Sequence, residues 1–354
     1  MLTPAQLAFR QTVHQYGTDL CWTPMILAKE FNRSEFARDS DLTISTTAAQ
    51  PPTILQFGAN NPLELARASS LAAPFVSGVD LNCGCPQSWA CAETLGAALM
   101  DQRALVRDMV TETRQRLRQD GWAVAAESDM ESASGRSVSV KIRVHDDLRP
   151  ANAAETQRKT IDFLETVIGH PQFRNVDWVT IHPRTRHTPS TTPIFTEALE
   201  ILTQRYAATL PLLLSGDVFD LSALPIRSTK PLDLSTLTVK DEATPRPSTT
   251  HLSGFMSARG LLANPALFAG HAACPWEAVE TLMCKMARAP LPFKLALHHV
   301  QEMTGPGMGP DKRALLNKRE RAELNACESM LDLVDFLDTK VEEHTGRKGM
   351  RRDL

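Results

Sequence analysis

At 354 residues, with 42% hydrophobic and 22% charged residues, the chain can bury a large core, which excludes a disordered tail or a disulfide-stapled mini-protein. No run approaches the roughly 18 apolar residues of a membrane span. The start Met1-Leu2-Thr3-Pro4 lacks the parts of a signal peptide, and seven cysteines, an odd number, do not make a disulfide framework. The expectation is a soluble protein of the cytoplasm or nucleus, with no membrane and no obligate protein partner. A net charge of −3 excludes bulk attraction to nucleic acid but leaves room for a local basic patch.

In chain order, apolar runs that end in polar or glycine-rich turns predict strands at 19–23, 53–57, 78–82, 138–143, 176–182, 210–215 and 252–256. Helical patterns fall between them at 62–73, 101–120, 153–168 and 196–206. Strand and helix therefore alternate, which implies a parallel sheet with helical crossovers. The chemically unusual residues stand at one strand end after another: Gln56, Asn82 with Cys85, Lys141, His182, Gly216-Asp217 and Arg259-Gly260. A (β/α)8 barrel builds its active site at that face.

Residues 125–137 and 221–250 are small, polar or Ser/Thr/Pro-rich and read as exposed inserts that should not carry the fold. After Gly270 the strand pattern stops. Residues 276–303 and 312–341 predict two helices separated by a Gly-Pro-rich turn. The chain thus divides into a barrel domain at 1–270 and a helical domain at 271–354 with a basic tail.

The segment Asp80-Leu81-Asn82-Cys83-Gly84-Cys85-Pro86-Gln87, with Gly96-Ala97-Ala98-Leu99-Met100 after it, is the most informative. A thiol in a Gly-Cys-Pro turn beyond a strand is held by backbone and can face a ligand over the barrel mouth. An ordinary thiol, of pKa about 8.5, is mostly protonated at neutral pH, so it suits a general acid; a buried structural cysteine is the other reading. Cys83, Cys85 and Cys91 lack a matching downstream Cys or His pair at zinc spacing, so no metal is expected.

Six motifs then occur in order: Leu55-Gln56-Phe57, Asn82-Cys83-Gly84-Cys85-Pro86, Val140-Lys141-Ile142-Arg143, Ile181-His182-Pro183-Arg184-Thr185, Ser215-Gly216-Asp217 and Met256-Ser257-Ala258-Arg259-Gly260. Together they resemble the motifs of the tRNA-dihydrouridine synthases over residues 7–270. Asp19-Leu20-Cys21-Trp22-Thr23-Pro24-Met25-Ile26, His145-Asp146-Asp147-Leu148 and the stretch from Gly260 to Gly270 look like the eukaryotic branch that acts on uridines 20a and 20b of the D-loop.

The resemblance implies a TIM barrel that binds FMN over its mouth, takes a hydride from NADPH and passes it to C6 of uracil. Cys85 matches the cysteine that protonates C5. Asn82 and Gln56 match flavin-contacting amides, and Lys141 and His182 match the pair near the isoalloxazine. Ser215, Gly216 and Asp217, with Ala258, Arg259 and Gly260, lie where such barrels bind phosphate. For the tRNA, Arg143, Arg184 and Arg186 are rim candidates. Lys312, Arg313, Lys318, Arg319, Arg321, Arg347, Lys348, Arg351 and Arg352 are candidates on the helical domain.

Two departures stand out. Family members open with a strand ending Ala-Pro-Met, whereas only residues 1–6 precede the helix start Leu7-Ala8-Phe9-Arg10, so the first barrel strand is expected to be missing or truncated. An open barrel exposes edges and loses part of the flavin's wall. Ser215 also replaces the usual asparagine before the glycine of the strand-7 motif. Two rival readings follow: a small-molecule FMN-barrel pyrimidine oxidoreductase, and a tRNA-binding protein made inactive by the lost strand.

Overall fold

The computed structural model describes residues 6–45, 50–124, 132–148, 158–224 and 252–352, with the backbone of 227–228 and 248–249. Ten strands occur in these residues: β1 (Cys21–Trp22), β2 (Ile26–Leu27), β3 (Thr53–Gly58), β4 (Gly78–Cys83), β5 (Ser137–Arg143), β6 (Val179–His182), β7 (Leu212–Ser215), β8 (Arg227–Ser228), β9 (Ser248–Thr249) and β10 (Gly254–Met256). The main sheet is parallel throughout, in the order β1-β3-β4-β5-β6-β7-β10, with β2 also paired to β3. β8 and β9 pair with each other at the two ends of the predicted insert. Residues 225–226, 229–247 and 250 of that insert, most of the insert at 125–137 and the start of the predicted helix at 153–168 lie outside the described residues.

β1 and β2 are two halves of one barrel strand, split at Pro24. Trp22 opposes Ile54 while Ile26 opposes Phe57, so the β1–β2 side carries one extra residue. Proline lacks the N–H the ladder needs. Thr23 fills the break: its Oγ1 accepts the backbone N–H of Gln56 at 3.0 Å.

Strand alternation separates two environments. Val79, Leu81 and Cys83 of β4, Val138, Val140 and Ile142 of β5, and Val179 and Ile181 of β6 join the main hydrophobic core against the helices. Their alternates Asp80, Asn82, Ser139, Lys141, Thr180 and His182 face the barrel axis. The sheet curls far enough for Trp22, on β1, and Trp178, just before β6, to meet edge to face with centroids 6.3 Å apart.

The helices form where local signals allow. Asn61 caps the helix Pro62–Ala72 by accepting from Leu63 and Glu64 N–H groups, with Pro62 in the first turn. The helix Arg103–Gln119 buries Val106, Met109, Val110, Thr113 and Leu117 on one face. Each large apolar side chain so buried contributes roughly 1.5–3 kcal/mol.

The seven barrel positions form an open curled sheet, and among the described residues no strand bridges β10 to β1. A second core sits at that opening. It joins Cys21 of β1 and Leu261 and Leu267 after β10 to Ala8, Phe9 and Val13 of the helix Leu7–Gln15 and to the C-terminal helices.

Four C-terminal helices replace the two expected: Trp276–Arg288, Phe293–Thr304, Lys318–Asn325 and Met330–Thr345. Pro290 and Pro292 break the first pair. Ser329 makes a capping box with Asp332 and restarts the chain as a new helix within the second. No described helix is long and apolar enough to cross a membrane.

Candidate active site

Gln56, Asp80, Asn82 and Ser139 form one buried hydrogen-bond chain across three neighbouring strands. Gln56 opposes Asp80 in the β3–β4 register, and Asp80 opposes Ser139 in β4–β5. Asp80 accepts from Ser139 Oγ at 2.6 Å and from Gln56 Nε2 at 2.7 Å, and Gln56 Oε1 accepts from Asn82 Nδ2 at 2.7 Å. Burial pushes the Asp80 carboxyl up to about 6, against the two hydrogen bonds and nearby Lys141, which favour its charged form.

Asn82 connects this chain to the cysteine. Its Oδ1 accepts the backbone N–H groups of Gly84 at 3.0 Å and Cys85 at 2.8 Å, which folds the turn beyond β4. Arg143 braces the turn by donating to Gly84 O at 2.8 Å and to Thr185 O at 2.7 Å. Ala97 N–H reaches Cys85 O at 2.8 Å. Gly96 has φ +59, and a Cβ there would fall 2.6 Å from Cys85 O. So held, the Cys85 thiol is half-buried, 3.9 Å from Gln87 Oε1, which also accepts from the exposed Trp89 indole at 2.7 Å. Cys83 lies on the opposite face, buried among the helices, and that burial raises its thiol well above the ordinary range.

The next strands supply charge. Lys141, side by side with Asn82 in the register, has no carboxylate partner in salt-bridge range among the described residues, and burial lowers it to about 8. His182 is lowered to about 2 by burial and by Lys141, Arg143, Arg184 and Arg259 around it. The imidazole is therefore neutral. Arg184 Nη1, which can only donate, lies 2.9 Å from His182 Nε2 and places the ring proton on Nδ1.

Two expectations change here, Arg184 as a rim contact for tRNA and the Asp217 side chain as a cofactor contact. Arg184 is 1% exposed and lies inside the wall, where it donates to Thr192 O and, through Nη2, to both carboxylate oxygens of Asp217, so it is not presented to RNA on the rim. Asp217 likewise spends its carboxylate on Arg184 and on Ile194 N–H at 3.0 Å. It adopts φ +56, and Gly216 before it adopts φ +103, where a Cβ would meet His182 at 2.7 Å. Ser215 ends β7 beside Met256 of β10.

Ala258 precedes the short helix Arg259–Ala263, and the Arg259 guanidinium lies 5.3 Å from the Phe219 ring centroid. Gly260 packs so closely that a Cβ would fall 2.6 Å from Val218 O. Arg186 is exposed, with Asp101 3.9 Å away, and lines a rim cleft of ≈ 220 Å³ with Arg143, His145 and Lys159.

On the C-terminal helices several predicted RNA contacts are paired internally. Arg347 makes a two-point pair with the fully buried Glu280, Arg352 pairs with Asp338, Arg313 with Asp311 and Arg319 with Glu323. Lys318, Lys348 and Arg351 expose their side chains with no ion pair among the described residues. Sequence reading missed Asp80 and Ser139 as site residues. The signal for Asp80 was present: it stands two residues before Asn82 and so shares its face.

The model of the dihydrouridine synthase (Dus) family matches residues 1–312. A human protein named tRNA-dihydrouridine(20a/20b) synthase [NAD(P)+]-like is 32% identical over 340 residues, 95% of this chain and 88% of its own. The Schizosaccharomyces pombe tRNA-dihydrouridine(20a/20b) synthase [NAD(P)+] is 33% identical over 338 residues, 96% and 85% of the two chains. A mouse tRNA-dihydrouridine(16/17) synthase [NAD(P)(+)]-like protein is more distant, at 26% over 348 residues, 98% of this chain and 62% of its own.

Proposed function

The chain belongs to the dihydrouridine synthase family, and from that we propose that it reduces uridine to 5,6-dihydrouridine in the tRNA D-loop, at positions 20a and 20b, with FMN and NADPH. The observation that carries the reading is the thiol of Cys85, held by Asn82 and Gly96 on the same barrel mouth as Lys141 and His182.

The residues fit a flavin. Gln56 and Asn82 each use one N–H internally and keep a second for a ligand. Lys141 offers a cation in no direct ion pair with a described carboxylate, suited to the negative charge of a reduced ring. The Ser215-Gly216 backbone and Arg259 would hold its phosphate. When bound, FMN supplies the hydride that goes to C6 of uracil, at the expense of NADPH.

The chain's own part is the other half of the reduction. Cys85 gives its proton to C5 from the face opposite the hydride, so one hydride and one proton saturate the C5–C6 bond, and the thiolate recovers a proton from water. Neutral His182 presents a hydrogen bond without adding a charge that would compete with Lys141. A base can reach this site only by leaving its stack, so the RNA needs phosphate contacts; the exposed Lys318, Lys348 and Arg351, which have no ion pair among the described residues, and the exposed Arg186, at the long end of an ion pair with Asp101, are the groups placed to make them.

The test is NADPH oxidation by the FMN-supplemented chain with and without an unmodified tRNA transcript, with dihydrouridine mapped afterwards. Oxidation that depends on tRNA and leaves dihydrouridine at 20a or 20b supports the reading. Turnover of free uracil but not tRNA favours the small-molecule oxidoreductase, and tRNA binding without flavin uptake favours the inactive binding protein.

A further inference from the structure

We propose that Asp80 is a positioning residue for the Cys85 turn, acting as the fixed acceptor that sets the orientation of the Gln56 and Asn82 amides in sequence. The consequence for catalysis rests on the reading of Cys85 as proton donor; the hydrogen-bond logic does not.

A primary amide can be turned end for end at little cost unless its partners forbid it. An ionised carboxylate only accepts, so Asp80 compels Gln56 to present Nε2 to it. Gln56 Oε1 is thereby aimed at Asn82 and takes Nδ2. Asn82 is left with Oδ1 facing the turn, the only end that can accept the N–H groups of Gly84 and Cys85. Reversal at any step would set donor against donor. Ser139, on the other side, occupies the second carboxylate oxygen and fixes the rotation of the carboxylate itself. The whole chain is buried, where an unmatched donor is costly and the orientation is correspondingly well defined.

The direct readout is backbone amide exchange at Gly84 and Cys85 in the full-length protein, which needs neither flavin nor turnover. Asp80→Leu removes the acceptor and should speed exchange at both amides by about fivefold or more, the effect of losing one net hydrogen bond. Asp80→Asn should keep protection, because its carbonyl can still accept from Gln56 while its amide nitrogen turns to Ser139 Oγ.

Gln56→Glu sets two carboxylates face to face and should lose protection. Adding Asp80→Asn to Gln56→Glu should restore it, since the amide nitrogen now at position 80 donates to the carboxylate now at position 56. If Asp80→Leu fails to fold, the Gln56→Glu single and double variants remain decisive. Equal loss in those two, or wild-type protection in a folded Asp80→Leu, overturns the proposal. Turnover by Cys85→Ala would overturn the functional reading while leaving this exchange pattern intact, so the two failures are distinguishable.

Discussion

Arg184 Nη2 lies 2.6 and 2.7 Å from the two carboxylate oxygens of Asp217, an ion pair across 33 residues of sequence that holds the β7 loop against the wall beside His182. Arg184 is almost wholly buried, so removing its partner leaves an uncompensated charge. Asp217→Ala should cost about 3–5 kcal/mol in urea unfolding. Asp217 also sits at φ +56, which alanine tolerates poorly and asparagine well. Asp217→Asn should therefore be less destabilising than Asp217→Ala, and a reversed order would contradict this account.

Gly96 is predicted to be irreplaceable for a local reason. A Cβ would strike Cys85 O, and the positive φ alone costs a non-glycine residue roughly 1–2 kcal/mol. Gly96→Ala should displace the thiol and lower dihydrouridine formation about 10- to 100-fold, the scale expected for a misplacement near 1 Å. The check is single-turnover product formation beside alkylation of Cys85 by iodoacetamide. A variant that is folded, alkylated as the parent is and fully active would remove the steric argument.

The second core carries a pH dependence. His299 is 1% exposed and stacks on Phe9 at 4.8 Å, and neither ring nitrogen finds a hydrogen-bond partner among the described residues. Burial, with His298 nearby, lowers it from 6.5 to about 4. Between those values the unfolded chain binds the proton and the folded one does not. Stability due to this group is full above pH 6.5 and is lost as pH falls toward 4, by up to roughly 3 kcal/mol at ~1.4 kcal/mol per pH unit. His299→Leu should flatten the stability profile over that window, as measured by urea unfolding at half-unit pH steps. Parallel profiles would show that His299 does not titrate as described.

The basic tail is predicted to divide by role. Arg347 is bound to Glu280, so Arg347→Ala leaves a buried carboxylate unpaired and should lower the melting temperature. Lys348→Ala and Arg351→Ala remove exposed cations and should leave melting unchanged. If they touch phosphate, each should lower tRNA affinity and reduce the slope of log K against log salt by about 0.7–0.9. An unchanged slope in both would exclude the tail as an RNA contact.

The barrel strands were legible because each is a short apolar run closed by a polar end, and the helix Pro62–Ala72 because Asn61-Pro62 announces it. The break at Pro290 and Pro292 was also visible, but the apolar period on either side of it masked the interruption. The inward position of Arg184 follows from alternation with His182, yet its partner does not: Asp217 reaches it only through the parallel pairing of β6 with β7. Asp80 lies between these cases. Its face was readable, whereas its neighbours Gln56 and Ser139 depend on the register of three strands.

The measurement that tests the central claim most directly is dihydrouridine formation by the Cys85→Ala variant, with its flavin absorbance recorded in the same sample. The account predicts that the variant takes up FMN as the parent does, binds tRNA and forms no dihydrouridine at 20a or 20b. Product formation at the parent rate with flavin bound would show that C5 receives its proton from another group.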